Sequence, residues 1–165
     1  MGRCHGSGRW VVEPCVTPMS TIVQRALLAY LTFAGLLVGV WAAVFPRSFA
    51  DDFPGFGRVW IAIDGPYNEH LVRDVGQLSL ALAVVSLAAA ITMHRTLVRV
   101  AAIAWLVNAV PHLVYHLRHL GPLEPFDQVG EIVSLALLAV LPVVVLVHSF
   151  RDGAAQTADA PAGSA

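Results

Sequence analysis

Lysine is absent from this chain, and charge of either sign is scarce, only 13% of the residues being Asp, Glu, Lys or Arg. Soluble globular domains typically carry about a quarter charged residues, so these residues cannot supply the water-facing surface of a compact domain this long. Cysteine is limited to Cys4 and Cys15, both ahead of the first long apolar run. Their spacing matches neither a zinc knuckle nor a C-x-x-C redox pair, and no cysteine falls later in the chain for thiol chemistry. Basic runs are missing too. The ten cations are all Arg, they are scattered, and the formal net charge is -1, which excludes a phosphate-neutralising nucleic-acid binder.

What remains is largely apolar, at 57% hydrophobic residues. Apolar runs with no charge at their centre extend from about Ala26 to Phe45, Val75 to Met93, Val98 to Leu117 and Val129 to Phe150, with Arg99 and Glu131 close to the starts of the last two. Each is about 20 residues, and a helix rising about 1.5 Å per residue then crosses a hydrocarbon core ~30 Å thick. The pattern predicts an all-α membrane four-helix bundle, up-down-up-down, over residues 22–150, with the lipid bilayer as its solvent. Residues 1–21 read as a disordered or wrongly assigned start, since Met19 offers an initiation just before the first span, and 151–165 as a disordered polar tail. Ser48-Phe49-Ala50 resembles a signal-peptide cleavage site. The apolar run before it is far longer than the usual ~7–15 residues, which favours an uncut anchor.

The connections follow from Pro and Gly. A long broken loop joins spans one and two, a short one joins spans three and four, and spans two and three form a tight hairpin around His94. Within the long loop, Arg58 to Asp64 is too short to cross a membrane and is expected at the interface, with Trp60 at headgroup level. Arg25, Arg95, Arg99 and Arg151 share the N-terminal side, while the opposite side holds Arg47, Arg58, Arg73 and Arg118 and also concentrates the acids. This predicts insertion with both termini in the cytoplasm.

Polar residues recur at helical spacing near one membrane face. Asn108, His112, Tyr115, His116 and His119 project within about a 100° arc of span three. His70, Asp74 and Gln77 stand at i, i+4, i+7 at the start of span two, and Asp127, Glu131 and Ser134 repeat that spacing into span four. Alternating helix direction brings these ends together, and an ionisable group facing lipid costs at least ~2.5–3.5 kcal/mol at mid-span, so the three stripes are expected to converge inward. Pro111 and Pro142 each loosen a backbone carbonyl in their spans.

Three readings of such a cluster stand side by side. It can tie helices together by interhelical hydrogen bonds. It can be a metal or haem site of a redox protein on His112, His116 and His119 with Asp74, although a second facing His box is missing. Or it can line a cavity for a small molecule, quinone, lipid headgroup or proton. Gly35 and Gly39 form a G-x-x-x-G in an apolar helix, the pattern of close helix packing, through which a second copy of the chain is an expected partner.

At PYNEHLVRDVGQLSLALAVV and AWLVNAVPHLVYHLRHL the chain resembles a group of four-span integral membrane proteins of high-GC bacteria, and more distantly DoxX-type proteins. The resemblance covers roughly Ile22 to Phe150. It implies a four-helix bundle in the plasma membrane and carries no catalytic residue over. The link of DoxX-type proteins to quinone or sulfur oxidation finds no membrane cysteine here to support it.

Overall fold

A computed structural model of the chain describes residues 21–158 apart from Asp64 and Pro122, and side chains as far as Arg151. The expectations for residues 1–20 and 159–165 lie outside the described residues. Four long helices dominate: α1 (Thr21–Val44), α3 (Glu69–Thr92), α4 (Arg95–Leu117) and α5 (Pro125–Ala158), with a short α2 (Pro46–Asp52) between the first two. The long four are each apolar and long enough to cross a membrane, the pattern of a multi-pass membrane protein. Their outward faces are themselves apolar, with Val84, Leu87 and Ile91 on α3 and Val140, Val143 and Val147 on α5 exposed. Water has no affinity for such a surface, and lipid does.

The bundle is built from two tight pairs, α1 with α3 and α4 with α5, which touch each other less extensively. Glycine makes the first pair close. An added Cβ at Gly35 would come within 2.9 Å of the Ser79 carbonyl oxygen, at Gly39 within 2.9 Å of the Leu80 backbone nitrogen, and at Gly76 within 2.9 Å of backbone atoms of Ala42 and Ala43. The G-x-x-x-G read from the sequence as a surface for a second copy is therefore filled by α3 of the same chain.

The two pairs are joined at one end, here the turn end. Only Met93 and His94 separate α3 from α4, Met93 taking the left-handed conformation (φ 51°) that closes a helix. The core lies there, formed by Leu28, Ala89, Ala90, Val98, Ala101, Ala102 and Val145. Polar ties reinforce it: Gln24 donates to the Val145 carbonyl, Arg99 donates to the Ser149 hydroxyl at 3.1 Å and carbonyl at 2.8 Å, and the Arg99 guanidinium lies 4.1 Å over the Phe150 ring.

The opposite end carries a cap that the sequence suggested only as a loop. After α2 the chain forms a two-stranded antiparallel hairpin of β1 (Pro54–Gly55) and β2 (Arg58–Val59), with Phe56 fully exposed at its tip. Gly55 and Gly57 adopt positive φ around that tip, a turn that glycine permits without a Cβ clash. Asn68 then caps α3 by accepting from the Leu71 amide at 3.2 Å. At the far end, α5 continues as helix to Ala158, where a disordered tail from residue 151 was expected; Ala154, Ala155 and Gln156 are strong helix formers and extend the existing nucleus.

Candidate functional site

The cap is anchored by an aromatic chain running from α1 to α5. Trp41 meets Phe49 and Phe53 edge-on at 6.0 and 5.8 Å, Phe53 meets Trp60 at 6.0 Å, and the Trp60 ring lies beside Gly130, where a Cβ would come within 3.2 Å of it. Trp60 donates its indole N–H to one oxygen of Asp127 at 3.0 Å, and Arg58 donates to the other at 2.9 Å. The Arg58 guanidinium also lies 4.5 Å over the Phe126 ring. Asp127 is thus buried with a fixed cation and a neutral donor, one per oxygen.

One helical turn further along α5, Glu131 accepts from a second element. His116 Nδ1 lies 2.8 Å from its Oε1, with the two side chains 12% and 6% exposed. A carboxylate and an imidazole are both removed from solvent here, on two helices each apolar enough to cross a membrane. The His116 ring is continued along α4 by its neighbours: His112 lies 4.7 Å away, Tyr115 meets it edge-on at 5.3 Å, and Tyr115 stacks on His119 at 4.1 Å. His119 Nδ1 lies 2.7 Å from the Tyr115 carbonyl, which orients its ring at the end of the ladder.

The ten residues expected to converge therefore divide. His116, Glu131 and Asp127 are buried or nearly so and form the centre of the cap end. Asn108, His112 and Tyr115 stay on one face of α4, with His119 just beyond its end, and all four are exposed rather than turned against the other helices. Gln77 is exposed as well, and His70 pairs with Asp74 along the surface of α3 at 3.2 Å. The expectation of three stripes meeting is corrected to this extent: α4 and α5 meet through His116 and Glu131, whereas α3 presents His70, Asp74 and Gln77 elsewhere. The reason is helix phase. The phase that sets Ser86 against Trp105 falls nearest, toward the cap, on Leu71, Val75 and Leu78, with Gln77 about 100–160° round the helix from them and Asp74 at the edge of that face.

Asp74, named with three histidines as a metal ligand, has His70 as its ion-pair neighbour. Among the described residues no three His, Cys, Asp or Glu side chains gather as a metal site would require. His94 and His148 belong to the turn end, far along the helices from this centre.

No family model, curated protein or solved structure matches the chain. Its chemistry must be read from the arrangement itself.

The sequence places Arg58 and Trp60 at the membrane interface but does not name their partner. Arg58 and Trp60 lie in a short loop segment, and their partner Asp127 is 69 and 67 positions away. Arg58 is a lone cation in an otherwise apolar stretch, which is the one hint that it required an acid. The resulting centre has two carboxylates one turn apart, one balanced by a permanent cation and the other by an imidazole that can be charged or neutral. Such a pair can hold a proton, or exchange its internal hydrogen bond for one to a ligand.

Proposed function

We propose that this is a ligand-binding protein of a bacterial plasma membrane, inserted with both termini in the cytoplasm so that the capped end faces outward, and that His116 and Glu131 form its polar recognition point for a small molecule. The orientation is supported by Arg25, Arg95, Arg99 and Arg151 near the turn end, matched in number by Arg47, Arg58, Arg73 and Arg118 at the cap end, where most of the acids also lie. The resemblance to four-span proteins of high-GC bacteria supports the choice of membrane.

One observation carries the ligand reading, the burial of the His116–Glu131 pair inside an apolar helix bundle. Midway along the bundle α3 and α4 are tied by neutral groups, through the bond from Trp105 to the Ser86 hydroxyl at 2.7 Å, while the ties that use a charged donor, Arg99 to Ser149 and Arg58 to Asp127, leave that arginine partly exposed. Desolvating two titratable groups costs several kcal/mol each before their attraction is counted, so a pair of this kind is a poor choice for a purely structural tie. It suits a site whose groups are needed by something that comes and goes.

The test is native mass spectrometry of the chain extracted from bacterial membranes in mild detergent. The parent protein is expected to carry a non-covalent adduct, and His116→Ala and Glu131→Gln are expected to lose it while remaining folded by circular dichroism. An adduct-free parent, or an adduct that persists in both folded variants, contradicts the reading.

A further inference from the structure

Two side-chain stripes run the length of the α3–α4 interface. On α3 the positions Leu71, Val75, Leu78, Leu82, Ser86 and Ala89 lie within about an 80° arc, and on α4 Ala101, Trp105, Asn108, His112 and Tyr115 do the same, with His119 just past the end of that helix. Toward the turn end the stripes meet: Ser86, Ala89 and Ala101 are fully buried, Trp105 nearly so, and Trp105 is bonded to Ser86. Toward the cap the same faces are bare. Leu78 is 66% exposed, Val75 40% and Leu71 62% on α3, and Asn108, His112, Tyr115 and His119 are exposed on α4. Faces that touch at one end and are bare at the other belong to helices that part. A cleft therefore opens sideways between α3 and α4 on the cap side of the Trp105–Ser86 bond, while the aromatic chain from Trp41 to Trp60 closes the α1–α5 side.

We infer that this cleft is a lateral seat for one phospholipid of the cap-side leaflet, its head against the α4 wall in front of the His116–Glu131 pair and its acyl chain along Leu71, Val75 and Leu78. The inference rests on the ligand-binding reading and names the ligand class. Depth is the first reason. From Trp105 to Leu117 the helix rises about 18 Å, close to the ~15 Å of one hydrocarbon leaflet. A partner helix must run through both leaflets and would be stopped where α3 and α4 touch, whereas a molecule of one leaflet fits.

The walls are the second reason. The α3 wall offers hydrocarbon with Asp74 at its edge, and the α4 wall offers an amide, a phenol and imidazoles. The acids nearby are already paired: Asp74 with His70, Asp127 with Arg58, and Glu131 with His116. A phosphodiester, which only accepts hydrogen bonds, thus meets the Asn108 amide and the Tyr115 phenol as donors, beside carboxylates that each have a partner of their own.

The full-length chain is reconstituted in vesicles of dioleoylphosphatidylglycerol containing an analogue of that lipid with a diazirine in its acyl chain, irradiated, digested and mapped by mass spectrometry. Label is expected to concentrate on Leu71 to Leu78 and Asn108 to His119, several-fold above the ordinary lipid-facing stretch Val84 to Ile91. Leu78→Trp, which fills the cleft from an exposed position, and Asn108→Leu should each reduce that excess several-fold. Labelling no greater than at Val84 to Ile91, an excess unchanged in Leu78→Trp, or chain-to-chain products at Asn108 in place of lipid, each overturns the inference. An excess that survives in His116→Ala and Glu131→Gln would uphold the cleft and remove the recognition role of that pair. A non-lipid adduct in native spectra with no excess label would do the reverse.

Discussion

Asp127 and Glu131 stand four residues apart on the buried side of α5, and each is held by a different part of the chain: Asp127 by Arg58 of the cap at 2.9 Å, Glu131 by His116 of α4 at 2.8 Å. The first links the cap to the bundle and the second links the two helices of a pair. Their separate partners give separable consequences.

Arg58→Ala removes the cation from one Asp127 oxygen and leaves Trp60 on the other. A hydrogen bond to a charged group contributes about 1.5–3 kcal/mol. Arg58 is partly exposed, so water recovers some of that, and the expected loss is about 1–2 kcal/mol by unfolding in detergent followed by helical circular dichroism. Asp127→Asn in the Arg58→Ala background should cost less than the two single losses added, because the two side chains share one interaction.

For the His116–Glu131 pair the expected pattern is sharper. Removing one member of a buried pair leaves the other desolvated, typically at a cost of about 3–5 kcal/mol, whereas replacing both by apolar groups is often close to neutral. His116→Leu and Glu131→Leu should each be strongly destabilising, and the double variant should unfold at or above the denaturant midpoint of either one. Single variants indistinguishable from the parent would show that the pair is solvated.

The α1–α3 contact predicts which glycines matter. Gly76→Ala sets a methyl against the backbone of Ala42 and Ala43, neither of which can give way as a flexible side chain would. Overpacking of this kind costs about 1–3 kcal/mol or more. Gly121 has nothing within 4 Å of an added Cβ, so Gly121→Ala should fall within ~0.5 kcal/mol of the parent. Equal melting temperatures for the two variants would contradict the packing described.

The four spans were legible because apolar runs of membrane length are a strong signal, and the hairpin at His94 because so few polar residues separate two such runs. Their boundaries were less so: α3 starts at Glu69, since the polar turn around Asn68 caps a helix whose first residues are charged. The cap was not legible. Its short strands and its α2 are stabilised by Asp127 and Gly130, distant in sequence, and local propensity does not report such partners. The polar stripes were correctly phased on each helix, but their meeting assumed helices in contact over their whole length. Where α3 and α4 part, Asn108 and His112 keep their phase and lose their neighbour. His116, one step round the helix, faces α5 and finds Glu131.

The central claim is that four helices cross a membrane with the cap on the outer surface and the α3–α4 turn in the cytoplasm. Single cysteines at Phe56, Val84 and His94, in a Cys4→Ser, Cys15→Ser background, are exposed to a membrane-impermeant maleimide in intact bacterial cells and after lysis. The expected result is labelling of Phe56→Cys in intact cells, of His94→Cys only after lysis, and of Val84→Cys in neither case. Labelling of His94→Cys from outside would reverse the orientation, and ready labelling of Val84→Cys would place water where lipid has been argued to be.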